Sequence, residues 1–474
     1  MIPFAYRNIM HAKIVAVCIW AVVSLINFLG KFMNSLKAAT ANTKTILVIG
    51  AYGLIGSGIA QRLEKDGHIV IGLGRDIITG KQVLPSIKWR CADLRSLTQP
   101  ESWLPFIEAV DAVVNCSGAL QDGYNDDLEL IHNHAIAALA KSCSDANIHI
   151  IQISAAGVSL DATTQFFSSK ARGDAAIQSA GAQYHIFRPG LVLAPHSYGS
   201  TALLRMLAAF PVVQPIAVPE AQIQTISLDD VALAVSAAVE GKIPTGFIGD
   251  LVEEETHSLR DVIALIRGWL GYRPARFEIC APAPLTWLVA KVADGLALLG
   301  WRSPLRTTAF TVLTDGVTGL PTDLSEFNLP AAKSLSQTLA NMPARVEDRL
   351  FARIALLTPI MVATLAGFWL LSGVISLFRT SDAALVLEQA GWPHWLAIAS
   401  VLFWAVIDIG IAAAFIYRPY VKRACWAAVA VSLFYLAASS IFVPQLWLDL
   451  LGPLVKVIPS IVLAILTRIA LENR

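Results

Sequence analysis

From residue 354 onward the chain is written as apolar segments between short polar loops: 354–378, 394–417, 424–443 and 450–467. Each approaches the roughly 20 residues that a helix needs to cross the hydrocarbon core of a bilayer. In lipid every backbone amide must be satisfied within the segment, so helices are the structure open to such runs. The expectation is an all-α four-helix transmembrane bundle over 349–474, with the lipid bilayer as its partner. Arg345, Arg349 and Arg353 precede the first segment, Arg418, Lys422 and Arg423 lie between the second and third, and Arg468 and Arg474 follow the fourth. The other loops carry Arg379, Asp382 and Glu388, then Asp449. The basic side is expected to be cytoplasmic, which places the C-terminus and the long region before the first span in the cytosol.

A membrane domain also accounts for the composition, since 55% hydrophobic and 15% charged residues over 474 do not suit a wholly soluble protein. The 36 basic and 35 acidic side chains form no block of like charge, so nucleic acid is not an expected partner. Six cysteines (Cys18, Cys91, Cys116, Cys143, Cys280, Cys425) lack C-x-x-C or Cys/His spacing, and no histidine lies deep in a span. Neither a metal site nor haem is expected. Near the start, residues 14–30 form an uncharged apolar run long enough to anchor the chain. Cleavage after Ala39-Thr40-Ala41 and a true start at Met33 are the competing readings of that segment.

Residues 44–280 alternate short β-branched runs with helical patterns, which predicts an α/β domain with a doubly wound parallel sheet. Gly50, Gly53 and Gly56 follow a strand expected at 45–49 and open a helix expected at 54–66, with a second strand at 68–73. That spacing gives a tight turn, close backbone approach to a pyrophosphate and helix amides aimed at negative charge. Residues 281–301 carry Lys291 and Asp294 on an apolar background and read as an amphipathic surface helix that could lie on the membrane. Residues 302–348 read as a polar connector.

The motifs continue in order: "CADL" with Asp93, "VVNCSGAL" at 113–120, "IHNHA" with Asn133, "IQISAAG" with Ser154, then Lys170, "FRPGLVLAP" and "ISLDDVA". Together they resemble the atypical or extended branch of the short-chain dehydrogenase/reductase superfamily over roughly 45–280. The C-terminal region resembles the DoxX-like membrane domain, which in bacterial proteins is fused to such dehydrogenase domains and is associated with quinone-coupled electron transfer. The resemblance implies a bacterial-type inner membrane and a cofactor-binding set of Gly50, Tyr52, Gly53, Leu54, Ile55, Gly56, Arg75, Asp93, Leu94, Ser117, Gly118 and Lys170. It implies catalytic positions at Asn133, Ser154 and Lys170. The family's acid, a tyrosine four residues before the lysine, is replaced by Phe166, and a phenyl ring has no proton to give.

At the end of the second strand, "GLGRD" places Arg75 where a guanidinium suits a 2′-phosphate, so NADP(H) is expected over NAD(H). Asp76 follows and could pair with Arg75 or reach the ribose itself. Two functions remain open. One is an oxidoreductase passing hydride to a quinone or other lipid-soluble acceptor, with Tyr124 or His196 as alternative acids. The other is an NADP(H)-binding structural or redox-sensing module of a membrane complex with a partner subunit, as in the atypical relatives that serve as accessory subunits of respiratory complex I. In the bundle, Asp408 is a functional candidate because a carboxylate there is costly; it is expected to be protonated or bonded to Tyr435, Ser439 or another nearby hydroxyl. Lys456 is expected to snorkel outward, and Trp392, Trp395 and Trp447 to anchor span ends.

Overall fold

The computed structural model describes residues 43–123, 126–196, 199–301, 303–449 and 452–472. The apolar run 14–30, Tyr124 and Arg474 lie outside the described residues.

The soluble domain is built on a seven-stranded sheet of β1 (Thr45–Ile49), β2 (Ile69–Gly74), β3 (Lys88–Cys91), β4 (Ala112–Asn115), β5 (His149–Ile153), β6 (Tyr184–Pro189) and β7 (Phe247–Leu251). Its spatial order is β7-β6-β5-β4-β1-β2-β3, and all neighbouring pairs are parallel. Strands covered on both faces read as continuous apolar runs, and "ILVI" of β1 is buried throughout. One face packs Ile46 and Val48 against α1 (Leu54–Lys65) and a helix over Leu228–Val239. The other packs Leu47 and Ile49 with Trp103, Leu139 and Ile150. The strand order reverses between β1 and β4, and at such a switch point the loops diverge and leave a crevice.

The helices in chain order are α1, α2 (Ile77–Val83), α3 (Pro100–Ile107), α4 (Ala135–Asp145), α5 (Gln165–Ser179), α6 (Ser200–Ala208), α7 (Leu228–Val239), α8 (Leu259–Trp269) and α9 (Ala283–Leu298). They continue as α10 (Thr307–Asp315), α11 (Leu335–Asn341), α12 (Val346–Phe378), α13 (Thr380–Gln389), α14 (His394–Ile416), α15 (Val421–Phe442) and α16 (Val457–Ala470). The segment read as a connector packs back onto the soluble domain. Lys333 pairs with Asp230, the Leu335 amide donates to the buried Glu253 carboxylate at 2.6 Å, and Leu335 and Leu339 join a core cluster. Its polar composition hid a few long-range apolar contacts that no local period signals.

Three C-terminal helices are long and apolar enough to cross a membrane: Val346–Phe378, His394–Ile416 and Arg418–Phe442. The fourth, α16, is apolar but has 14 residues, about 21 Å at the helical rise and so shorter than a hydrocarbon core. Small side chains face inward, including Ala405, Ala412, Ala424, Ala428 and Ala464, while Ile375, Phe403, Val406 and Leu466 face outward. A Cβ on Gly373 would stand 2.7 Å from the Ala405 carbonyl oxygen, so α12 and α14 pack closely there with no room for a side chain at 373.

The two domains are joined by a buried latch. Arg205 on α6 donates through Nη1 to Asp348 at 2.8 Å and through Nη2 to the carbonyls of Ala194 at 2.7 Å and Pro195 at 3.1 Å. Its guanidinium lies over the Trp269 ring. Asp348 belongs to the first turn of α12, which runs on without interruption into the apolar region.

Candidate dinucleotide site

Gly50 ends β1 with φ of +72°, and a Cβ there would press on the Ser117 backbone at 3.1 Å. Both facts favour glycine, one by conformation and one by space. A Cβ on Gly56 would stand 2.3 Å from the Gly50 carbonyl oxygen, so the turn can fold over the first turn of α1 only with glycine at 56. Gly53 precedes α1 without a capping side chain, which leaves the helix's first amides directed at the crevice. This cradle, tight and free of side chains, fits a dinucleotide pyrophosphate.

Across the crevice, Asn115 at the end of β4 fixes the following loop. Its Oδ1 accepts from the Ser117 amide at 3.1 Å and from the Ser117 hydroxyl, and its Nδ2 donates to Gln152 at 2.8 Å. Leu94 is buried, while Leu54 and Ile55 pack against the core from the start of α1. Tyr52 packs toward Trp89 with ring centroids 5.9 Å apart, over the space left by the missing side chain of Gly74. Asp93 caps the turn at 94–96 and binds Arg95 at 2.6 Å, and the Arg95 guanidinium holds its carboxyl below the usual range.

At the end of β2, Arg75 pairs with Asp126 at 2.9 Å. The neighbouring Asp76 is engaged elsewhere. Its carboxylate caps α2, accepting from the Ile78 and Thr79 amides at 2.9 and 3.1 Å and from the Thr79 hydroxyl at 2.6 Å. Those bonds hold the Asp76 carboxyl low, the Thr79 hydroxyl contributing most.

Lys170 is buried and donates to the Ile153 carbonyl at 3.2 Å. Burial lowers the pKa of its ammonium, an effect opposed by the nearby Asp174 carboxylate. Its Nζ is 5.9 Å from the centroid of the Phe166 ring, one turn earlier on α5. Ser154 gives its hydroxyl to Asp174 Oδ2 at 2.8 Å. Asp174 is buried one turn beyond Lys170, is also reached by Arg188 at 3.3 Å, and leaves Oδ1 without a hydrogen-bond partner among the described residues. Burial pushes its carboxyl up.

Asn133 turns away from Lys170 and donates to Glu129 at 2.6 Å, and Glu129 in turn binds Arg172. The neighbour beside Lys170 is His132. Residues Leu130–His134 form a π-helical turn, whose extra residue rotates the register before α4. His132 Nε2 accepts from the Ala119 amide at 3.2 Å and Nδ1 faces the Ser169 hydroxyl at 2.9 Å. Burial, then the Lys170 charge, push His132 well below the usual imidazole range, so the ring is neutral with its proton on Nδ1. Its edge meets Phe166 with centroids 5.9 Å apart. The sequence reading missed both His132 and Asp174: a π turn has no compositional signature, whereas the spacing of Asp174, four residues after Lys170 on one helix, could have pointed to it. His196 lies by the cradle, with Nε2 3.5 Å from the Ser57 hydroxyl of α1. Among the described residues no group of three or more His, Cys, Asp or Glu is placed to hold a metal ion.

Residues 46–244 match the model of the NAD dependent epimerase/dehydratase family, and residues 366–465 match the DoxX-like family. No curated protein matches the chain. Among solved structures, the chain is similar to the Bordetella bronchiseptica enzyme WbmG in complex with NAD, at 17% identity and a TM-score of 0.47 over 63% of this chain and 93% of that one. It is similar to dTDP-glucose 4,6-dehydratase from Bacillus anthracis at 14% identity and a TM-score of 0.47, over 63% of this chain and 95% of that one. A third likeness is to UDP-N-acetylglucosamine 4-epimerase from Bacillus cereus, at 13% identity and a TM-score of 0.46 over 66% of this chain and all of that one. The chain therefore joins a NAD-binding domain of the epimerase/dehydratase type of short-chain dehydrogenase/reductase, over residues 46–244, to a DoxX-like domain over residues 366–465.

Proposed function

We propose that this chain is a membrane-embedded protein that binds a nicotinamide dinucleotide in the crevice between β1 and β4 without tyrosine-type proton donation. The observation that carries the reading is the company of Lys170. Phe166 holds the acid's place, Ser154 has given its hydroxyl to Asp174, and the Asn133 amide is turned to Glu129. Lys170 itself is directed along the end of β5, where an ammonium can bind a ribose without taking part in proton transfer. The bound nicotinamide supplies hydride chemistry; the protein's groups hold and orient it.

NADP(H) is the proposed form, on the ground that Arg75 stands at the end of β2 while the adjacent carboxylate, Asp76, is spent on capping α2. A 2′-phosphate would compete with Asp126 for the Arg75 guanidinium. The basic residues Arg349 and Arg353 lie at the soluble-domain end of α12, where Arg353 sits over the Tyr272 ring, and this supports a cytoplasmic location for the dinucleotide domain on the inner membrane. A second reading, hydride transfer to a quinone or another lipid-soluble acceptor, draws on the fixed attachment of the site to α12 through Arg205 and Asp348, and such an acceptor can take its protons from water.

The test is to purify the full chain in detergent, identify co-purifying nucleotide by mass spectrometry, and follow NADPH absorbance on adding a short-chain quinone. NADPH that stays bound and is not consumed is the expected result, and Arg75→Ala is expected to weaken NADPH about tenfold while leaving NADH unchanged. Turnover that Lys170→Ala abolishes would replace the binding reading with the oxidoreductase one. A chain that binds neither nucleotide would sink both.

A further inference from the structure

We propose that α9 is an in-plane membrane helix whose outer face is dissolved in the lipid leaflet on the side of the dinucleotide domain. Its burial is inverted relative to a helix on a water-soluble protein. The side chains turned inward are Ala290, Ala293 and Ala297, whereas Leu285, Trp287, Leu288, Val292 and Leu298 point outward and are 51–81% exposed. A helix in water keeps its bulky apolar groups inside. The membrane bundle of this chain likewise turns many bulky apolar side chains outward, Ile375, Phe403, Val406 and Leu466 among them, while Ala405, Ala412, Ala424, Ala428 and Ala464 are buried beside larger core residues such as Leu365, Trp369 and Phe415.

The charges of α9 do not oppose this placement. Asp294 is turned inward to Arg306 at 3.0 Å and to the Thr307 hydroxyl at 2.9 Å. Lys291, the other charged residue of the helix, is exposed, and its four-carbon stem can carry the ammonium to the headgroups.

The position of α9 identifies lipid, rather than another protein, as the cover. Just beyond its C-terminus, the Leu299 carbonyl accepts from the Arg418 amide at 3.0 Å, and Trp301 Nε1 donates to the carbonyl of Ile416 at 2.6 Å. Ile416 is the last residue of α14, and the Arg418 guanidinium lies over the Trp301 ring. The end of α9 is therefore pinned at the level where a spanning helix leaves the bilayer, with tryptophan and arginine side chains suited to that boundary. The other end is tied to the soluble domain, because strand Phe277–Cys280 pairs with Val213–Ile216. With 16 residues, about 24 Å at the helical rise, and both ends held on one side, α9 lies along the surface instead of crossing it.

Spin labels read the environment directly. The full chain, with Cys18, Cys91 and Cys280 changed to serine, is labelled at a cysteine replacing Leu288 and placed in nanodiscs of phosphatidylcholine and phosphatidylglycerol. Labels replacing Phe403, outward on α14, and Glu101, on the soluble domain, supply the lipid and water references. The proposal expects the label at 288 to show an oxygen-to-nickel-chelate accessibility ratio several-fold above that at 101 and close to that at 403. A ratio equal to that at 101 overturns it in favour of water, and protection from both reagents overturns it in favour of a protein cover. If the label at 403 also reads water, the membrane reading of the bundle itself fails, and the two failures are told apart. Leu285→Cys, tested in parallel, serves where the 288 variant does not fold.

Discussion

Ser154 and Asp174 are joined by a buried 2.8 Å hydrogen bond that ties the end of β5 to α5. A serine that reads as a substrate contact in a linear motif thereby becomes one of the donors holding a buried carboxylate. Ser154→Ala leaves Asp174 with Arg188 alone, and an under-satisfied buried acceptor costs about 1–3 kcal/mol. We expect a lower Tm by thermal fluorescence and dinucleotide affinity unchanged within about twofold, below the effect of one lost hydrogen bond. A large loss of affinity with unchanged Tm would return Ser154 to the cofactor.

The latch through Arg205 makes a different demand. Arg205 is buried and Asp348 partly so, so loss of the carboxylate charge leaves a buried guanidinium with less compensation, and Arg205 also fixes the Ala194 and Pro195 carbonyls beside His196. Asp348→Asn should therefore raise amide exchange in residues 190–196 in the full chain, measured by hydrogen–deuterium exchange. Glu347→Gln, which removes the same charge from an exposed position one residue earlier, should leave that exchange unaltered.

The pH dependence of stability has a definite sign. His149 Nε2 lies 2.7 Å from His185 Nδ1, and His185 Nε2 donates to the Ile243 carbonyl at 3.1 Å. Burial, then the neighbouring His185 and Lys44, lower His149 to about 4, and burial lowers His185 and His132 as well. The unfolded chain takes up protons near pH 6.5 that the folded chain refuses. Stability is accordingly full above that value and is lost as pH falls toward 4. Tm should drop between pH 7 and 5, and His149→Gln, whose amide can still donate to His185, should flatten the slope. A Tm that rises on acidification would contradict this assignment of protonation.

Within the bundle, Asp408 Oδ2 accepts from Ser372 at 2.7 Å and Oδ1 from Tyr435 at 2.8 Å, binding α14 to α12 and α15. Of the hydroxyls expected from the sequence, Tyr435 takes part, and the nearby hydroxyl that completes the pair is Ser372 on α12. Interhelical bonds of this kind are worth roughly 0.6–2 kcal/mol each. Asp408→Leu should lower the detergent midpoint of unfolding, and Asp408→Asn, which keeps an acceptor for one hydroxyl, should fall between it and the parent. Equal midpoints for all three would show that the bonds contribute nothing to holding the helices together.

The sequence alone determined what depends on local spacing. The glycines at 50, 53 and 56, the buried β-branched strands and the long apolar segments each obey a period or a composition that holds whatever the rest of the chain does, and so the sheet, its crevice and the spanning helices were legible. Lys170 was legible with them, and so was the loss of an acid at Phe166. Tertiary structure decided which polar groups face one another. The π turn brought His132 to Lys170 and sent Asn133 to Glu129, the packing of α5 on β5 gave the Ser154 hydroxyl to Asp174, the helix beginning at 77 drew Asp76 into its cap, and residues 303–341 returned to the core. Apart from the local Asp76 cap, those pairings join residues tens to hundreds of positions apart or hinge on a one-residue change of helical register. Their energies come from desolvation and hydrogen-bond geometry at the point of contact, which no pattern along the chain encodes.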